Sequence, residues 1–175
     1  MNDDLRSVLL GTGALWIAAV AAILLTLSRP IPSPPDPRQL RAVVIAMTVA
    51  IGIQLLHFGE EWMTCFHERW PPLLGLTPWS DRFFVTFNLV WIVVWVMSVF
   101  GLRAGWQVAL MPAWFLAIAA VMNGVAHALL SLRVGGYFPG LLTAPAIGAC
   151  GLWLTSRLRA LTEATVSARQ LPAGR

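Results

Sequence analysis

Five long stretches of apolar residues constrain this chain more than any other feature of its sequence. Each is long enough, or nearly so, to cross the ~30 Å hydrocarbon core of a bilayer, which takes about 20 helical residues. Unpaired backbone groups are costly in lipid, so we expect helices rather than open strands. The predicted fold is all-α, an integral membrane bundle of five transmembrane helices in a single domain. The helices are expected at about residues 8–27, 42–62, 83–102, 106–132 and 138–155, with a polar C-terminal tail at 163–175.

The composition agrees with a membrane protein and argues against other classes. Of the 175 residues, 58% are hydrophobic and 11% are charged, whereas soluble chains are about 25% charged. The net charge is +4, but the 12 basic residues lie singly or in pairs at the edges of the apolar stretches. A nucleic-acid partner would require a basic stripe or patch. We therefore exclude a soluble enzyme and expect no nucleic-acid partner.

The distribution of arginine predicts the orientation of the chain. Five crossings put the two termini on opposite sides, with eight arginines on the side of the C-terminus and four on the other. Cytoplasmic loops carry the excess of basic residues. We expect the N-terminus outside and the C-terminus in the cytoplasm, in the cytoplasmic membrane of a bacterium.

Ionisable and amide side chains are few within the apolar stretches, and several share helix faces. His57, Glu60 and Glu61 lie on one face of the second helix, because residues three and four apart are neighbours on a helix surface. Asn123 and His127 share a face of the fourth helix in the same way. Ionisable groups inside a membrane are costly and are candidates for function by default.

These groups are expected at one depth in the membrane. The second helix ends where the third begins, which puts Asn88 level with His57, Glu60 and Glu61. The fourth helix ends where the fifth begins, at Tyr137, on the same side. Four of the five helices therefore direct polar groups into one layer, which the predicted orientation places near the outer surface.

Two histidines and two glutamates are a ligand set typical of Zn, Fe or Mn. We predict a divalent metal site with three protein ligands and a position left for water. Glu60 is either a further ligand or a general base that acts on bound water. The predicted metal ligands are His57, Glu60, Glu61 and His127. The predicted catalytic residues are Glu60, Asn88, Asn123 and Tyr137, which would activate water, orient ligands or stabilise developing charge.

Three short motifs, taken in order, resemble those of the HXXEE family. They are the HFGEE segment His57–Glu61, the single His127 and the YFPG segment Tyr137–Gly140. The resemblance covers roughly residues 42–149. It implies a small hydrophobic protein of uncharacterised function. It also implicates Pro139 and Gly140 but names no reaction.

The leading hypothesis for function is a membrane-embedded, metal-dependent enzyme. Because the site lies among apolar helices, we expect a lipidic or amphipathic small molecule as substrate. Hydrolysis by metal-activated water is the simplest chemistry, and oxidation at a non-haem iron is the second. The lipid bilayer is an expected partner, and a homo-oligomer is compatible with the sequence.

Two alternatives without an enzyme stay open. In the first, the glutamates bind protons or a cationic solute in a proton- or cation-coupled binding or transport protein. Five helices without a repeat are few for a transporter. Alternatively, buried Glu and His pair with each other in an accessory membrane subunit and hold two helices together. His67, beyond the second helix, is expected to be a loop histidine rather than a ligand.

Overall fold

The computed structural model describes residues 3–170, with side chains as far as Glu163. Every regular element in this range is helical, so the predicted all-α class is confirmed. The α-helices are α1 (Asp3–Gly11), α2 (Gly13–Ser28), α3 (Pro37–Met63), α4 (Phe66–Arg69), α5 (Asp81–Arg103), α6 (Leu110–Val134) and α7 (Ala144–Gln170). Two short 3-10 turns, Pro71–Leu74 and Gln107–Ala109, precede α5 and α6.

Three helical segments are long and apolar enough to cross a membrane, which is consistent with a membrane protein. They are Pro37–Met63, Asp81–Arg103 and Gln107–Val134. The bent pair of α1 and α2 adds a fourth if it crosses as one span. Arg157 and Arg159 lower the hydropathy of the apolar part of α7, which is not among the candidates. Length and composition of the described residues thus support three to four spans rather than the five predicted.

The first predicted helix is divided at Thr12. α1 and α2 meet there at 51°. Gly11 and Gly13 flank the break, and glycine has low helix propensity. The indole N–H of Trp70 donates a hydrogen bond of 3.0 Å to the carbonyl oxygen of Gly11. The break is therefore attached to the connection between α3 and α5 (residues 64–80).

The last helix begins at Ala144 rather than at the predicted Phe138, and it continues to Gln170. The residues before it form turns, in which Gly140 has a φ of +88°. This left-handed value is incompatible with a regular helix and favours glycine. The predicted polar tail overlaps the end of α7, and its last residues, 171–175, lie outside the described residues.

Side-chain caps set the starts of two long helices. Oδ1 of Asp36 accepts a 2.8 Å hydrogen bond from the backbone N–H of Arg38 at the start of α3. Oγ of Ser80 accepts one of 3.2 Å from the N–H of Phe83 at the start of α5. Both caps satisfy backbone donors that a helix start leaves free. They fix where the helices that carry the polar groups begin.

α6 and α7 pack with their backbones close together because glycines line their interface. A Cβ atom on Gly124 would lie 2.8 Å from the Cα atom of Gly148. A Cβ atom on Gly151 would lie 2.7 Å from the carbonyl oxygen of Ala117. Small residues permit such approach between membrane helices. The connection between these two helices, residues 135–143, is thereby held against the end of α6.

We predict that Gly124→Ala lowers the free energy of unfolding by about 1–3 kcal/mol, because the added methyl group meets backbone that cannot move aside. The matched control is Gly52→Ala in α3, where a Cβ atom would meet nothing within 4 Å. Thermal unfolding in detergent measures both variants. Equal stability of the two variants would contradict the described packing.

Candidate metal centre

Three of the predicted ligands converge in the interior. The Nε2 atom of His127 lies 3.2 Å from Oε1 of Glu61, and Nε2 of His57 lies 3.6 Å from the same oxygen. His57 and Glu61 are one turn apart on α3, and His127 faces them from α6. All three side chains are buried. Their candidate ligand atoms lie within 4.8 Å of one another, and no other such group of three occurs among the described side chains.

The carboxylate of Glu60 is occupied by the connection between α6 and α7. Its Oε1 accepts hydrogen bonds from the Tyr137 hydroxyl (2.6 Å) and the Leu142 N–H (2.9 Å). Its Oε2 accepts from the N–H (2.8 Å) and the hydroxyl (2.6 Å) of Thr143. An ionised carboxylate offers about four acceptor sites. These four donors therefore saturate Glu60.

Glu60 in turn determines the tautomer of His57. The only hydroxyl hydrogen of Thr143 is donated to Glu60, so its Oγ1 must accept the 2.7 Å hydrogen bond from Nδ1 of His57. A neutral imidazole with its proton on Nδ1 has a free lone pair on Nε2. That Nε2 atom is buried and has no hydrogen-bond partner among the described residues.

His127 has the same tautomer for a different reason. Its Nδ1 lies 2.6 Å from the carbonyl oxygen of Pro139. A carbonyl oxygen only accepts, so Nδ1 carries the proton and donates it to Pro139. The lone pair of a neutral His127 is then on Nε2, the atom that faces Glu61.

The three inner atoms are Nε2 of His57, Nε2 of His127 and Oε1 of Glu61. Their lone pairs repel one another unless a cation or a proton lies between them. Metal-binding histidines usually donate their other ring N–H to a carbonyl or carboxylate group. Tetrahedral ligands about 2.0–2.1 Å from Zn²⁺ lie roughly 3.3 Å apart. The 3.2 and 3.6 Å separations from the Glu61 oxygen are close to this value, and all three ligand atoms lie within 4.8 Å of one another. The residues therefore fit a divalent ion.

The YFPG segment holds this arrangement in place. Gly140 lies against the imidazole of His127, and a Cβ atom at this position would collide with the ring. Tyr137 donates to Glu60, and both burial and this hydrogen bond raise the pKa of its phenol. The phenol thus stays protonated at neutral pH and remains a donor. The segment positions the histidine and the carboxylate instead of contacting the inner atoms.

The structure divides the predicted site residues into three groups, of which the third, Asn88 and Asn123, lines a cavity beside the centre. His57, Glu61 and His127 come together, whereas Glu60 and Tyr137 belong to the surrounding hydrogen-bond network. The sequence prediction makes Glu60 a ligand or a base; in the structure its carboxylate accepts four hydrogen bonds and lies outside the group of three. A helical wheel assigns both glutamates to one face and cannot distinguish their partners.

Asn88 and Asn123 line a cavity of about 190 Å³ beside the centre. Glu61 and His127 are among its lining residues, and most of the others are aromatic or apolar. The Nδ2 atom of Asn88 donates a 3.0 Å hydrogen bond to the Phe84 carbonyl oxygen. The cavity gives a small molecule room next to the inner atoms.

Two residues near the site are not among the predicted site residues. Thr143 orients His57, and its place directly before a helix with Pro145 in its first turn is the signal that could have identified it. Gln54 is buried and lines the cavity, one turn from His57 on α3.

The environment of His67 differs from the expected loop. It lies in α4 and is buried, with Nε2 at 3.8 Å from Oε1 of Glu68 and 3.9 Å from Oδ1 of Asp81. Its ring stacks on Phe84 at 5.3 Å between centroids. His67 is not part of the group formed by His57, Glu61 and His127.

The fold and the site together define a helical protein that has helices long and apolar enough to cross a membrane and a buried His–Glu–His group. Over residues 47–154, more than half of its length, the chain matches the family model described as a protein of unknown function with HXXEE motif, and it belongs to that family. The resemblance inferred from the motifs is thus confirmed. No curated protein and no solved structure matches the chain.

Tyr137, the only tyrosine of the chain, permits a direct test of the Glu60 network. We predict a phenol pKa above 10 in the parent protein and a lower value in Glu60→Gln, because the carboxylate that stabilises the protonated phenol is lost. Ultraviolet absorbance of the phenolate during an alkaline titration measures both. An identical pKa in the two proteins would contradict the hydrogen bond.

A second prediction concerns Gly140. Gly140→Ala places a methyl group against the His127 ring at a positive φ, so we expect a loss of about 1–3 kcal/mol in unfolding free energy. The matched control is Gly136→Ala in the same connection, where a Cβ atom would meet nothing within 4 Å. Thermal unfolding compares the stability of the two variants. A Gly140→Ala protein as stable as Gly136→Ala would refute the close contact between Gly140 and the His127 ring.

Proposed function

We propose that this chain is a membrane-embedded, metal-dependent hydrolase. The observation that carries the proposal is the pair of buried Nε2 atoms on rings whose Nδ1 atoms are already hydrogen-bonded to Thr143 and to the Pro139 carbonyl oxygen. Both nitrogens face the carboxylate of Glu61. A structural ion pair would need a proton at one of them, whereas a metal site needs both lone pairs free.

Three residues of the chain would hold the ion: His57, Glu61 and His127. Three protein ligands leave a fourth position open, as in catalytic rather than structural zinc sites. The adjacent cavity supplies space for water and substrate at that position. When bound, the ion would supply a more acidic water molecule and polarise a substrate carbonyl.

Other residues have supporting roles in this proposal. Glu60 and Thr143 fix His57, and Pro139 fixes His127. Glu61, the one carboxylate that lines the cavity among the described residues, would accept a proton from the attacking water. The carboxamides of Asn88 and Asn123 would hydrogen-bond the substrate oxygen as negative charge develops.

Hydrolysis requires only water as co-reactant. Water adds to the acyl carbon of an ester or amide, the bond to the alkoxy or amino group breaks, and the leaving group takes a proton. The products are a carboxylic acid and an alcohol or amine.

Our proposal also includes the membrane arrangement. The bent α1–α2 pair, α3, α5, α6 and α7 would make five crossings, with the N-terminus outside and the C-terminus in the cytoplasm. The excess of arginine on the C-terminal side supports this orientation. The metal centre would then lie near the outer surface of the bilayer, where an amphipathic molecule can enter from the lipid.

Oxidation at iron is the second candidate chemistry, because two histidines and one carboxylate are also the donor set of non-haem Fe(II) oxygenases. The two candidates share residues and differ in the ion. Identification of the ion therefore separates them.

We predict about one transition-metal ion per chain in protein purified in mild detergent without a histidine tag. Elemental analysis should find the ion lost in His57→Ala, Glu61→Gln and His127→Ala, because each removes a ligand. His67→Ala is the matched control, since this buried histidine lies outside the group. Zinc would favour hydrolysis, and iron would favour oxidation.

Folding of each variant is checked by size-exclusion chromatography and tryptophan emission. A parent protein that contains no metal and takes up none from added Zn²⁺, Fe²⁺ or Mn²⁺ would refute the proposal. The group would then act through shared protons, as in a coupled carrier or a structural cluster.

A further inference from the structure

The cavity beside the metal centre contains a polar group that no residue satisfies. The carboxamide of Gln54 lines the cavity and is 6% exposed. It makes no hydrogen bond to any residue that the structure describes. A buried amide without partners costs free energy, and buried polar groups are almost always paired. The carboxamide of Gln54 is therefore free to pair with a molecule in the cavity that it lines.

A second carboxamide lies at the same level. Asn123, one turn from His127 on α6, also lines the cavity without a hydrogen-bond partner among the described residues. The indole N–H of Trp95, another lining residue, is likewise buried without an acceptor. The cavity thus offers both donors and acceptors about one helical turn from the two histidines.

The remaining walls select an apolar and flat molecule. Aromatic rings form much of the lining, including those of Phe87, Trp91, Trp95 and Phe115. The rings of Trp91 and Phe115 are 4.3 Å apart between centroids. Aromatic walls of this kind bind planar groups by stacking and edge contacts.

Charge and size narrow the class further. Glu61 and His127 are the only ionisable groups among the described lining residues, so a charged substituent elsewhere in the cavity would have no counter-ion. An apolar cavity of about 150 Å³ holds one benzene molecule. The cavity here, of about 190 Å³, therefore accommodates a ring with one small polar group rather than a whole phospholipid.

We infer that the cavity binds a small, uncharged aryl or short-chain carbonyl compound, an amide or an ester, with its polar group at Gln54 and Asn123. That this molecule is a substrate rests on the proposed function. The binding of this molecule is independent of the proposed function, because neither the Gln54 nor the Asn123 carboxamide is a proposed metal ligand. The inference narrows the lipidic or amphipathic class to compounds about the size of benzamide.

The test uses four molecules of nearly equal shape: benzamide, benzoate, benzamidinium and toluene. Saturation-transfer NMR titrations in detergent, with chelator present, measure the dissociation constant of each. We expect benzamide to bind at least about tenfold more tightly than the other three, because only benzamide is both uncharged and able to pair with a carboxamide. Four similar constants, or no binding of benzamide, would overturn the inference.

Gln54→Leu supplies the second arm. We expect it to raise the dissociation constant of benzamide at least about tenfold and to leave that of toluene nearly unchanged, because only the polar contact is lost. Gln39→Leu, at the start of α3 and outside the cavity, is the matched control. Unchanged benzamide binding in Gln54→Leu would refute the assignment.

The outcomes separate this inference from the proposed function. Selective benzamide binding by a protein that takes up no metal would support the inferred ligand class and refute the proposed metal-dependent hydrolase. Metal uptake without benzamide binding would refute the inferred ligand class and leave the proposed metal site supported.

Discussion

The carboxylate of Glu60 accepts four hydrogen bonds from the connection between α6 and α7, and the arrangement of the site depends on this contact. It takes the hydroxyl hydrogen of Thr143, which makes Thr143 an acceptor for His57. It also takes the hydroxyl hydrogen of Tyr137. One charged group at the end of α3 therefore sets both the course of residues 137–143 and the proton position on a histidine of the same helix.

The same connection reaches the second histidine from the opposite side. The Pro139 carbonyl oxygen accepts from His127, and Gly140 leaves room for its ring. Glycine contacts between α6 and α7 keep the connection close to the site. Phe66 of α4 covers His127 with its ring, 5.5 Å away between centroids. Burial of these side chains strengthens the interactions among the inner groups, because bulk water does not reach them to screen the charges.

Much of the site was predictable because helical spacing alone places side chains. His57 and Glu61 are four residues apart on one helix. Because successive long helices alternate in direction, α6 ends on the same side as α3, which brings His127 to the same level. The sequence did not distinguish the two adjacent glutamates, since their roles depend on a loop whose course no periodicity encodes. Gly140 and Thr143 illustrate this, because a positive φ and a hydroxyl orientation are set by tertiary contacts.

The fold was predictable in its class and less so in its boundaries. Apolar length indicated α3, α5 and α6 correctly, because a long uncharged stretch has few alternatives to a helix. The break at Thr12 depends on the contacts of Gly11 with Trp70 and Trp79, which are distant in sequence. The late start of α7 depends on donors that Glu60 recruits. In both regions a tertiary contact overrides the local apolar pattern.

The proton positions on the two inner histidines are the most direct test of this account. The chain has three histidines, so ¹⁵N-histidine NMR with His67→Ala for assignment resolves them. At mildly alkaline pH, about 8, where a typical histidine is neutral, we predict protons on Nδ1 of both His57 and His127. Both Nε2 signals should then shift when Zn²⁺ is added. A proton on Nε2 of either residue, unaffected by Zn²⁺, would contradict the account.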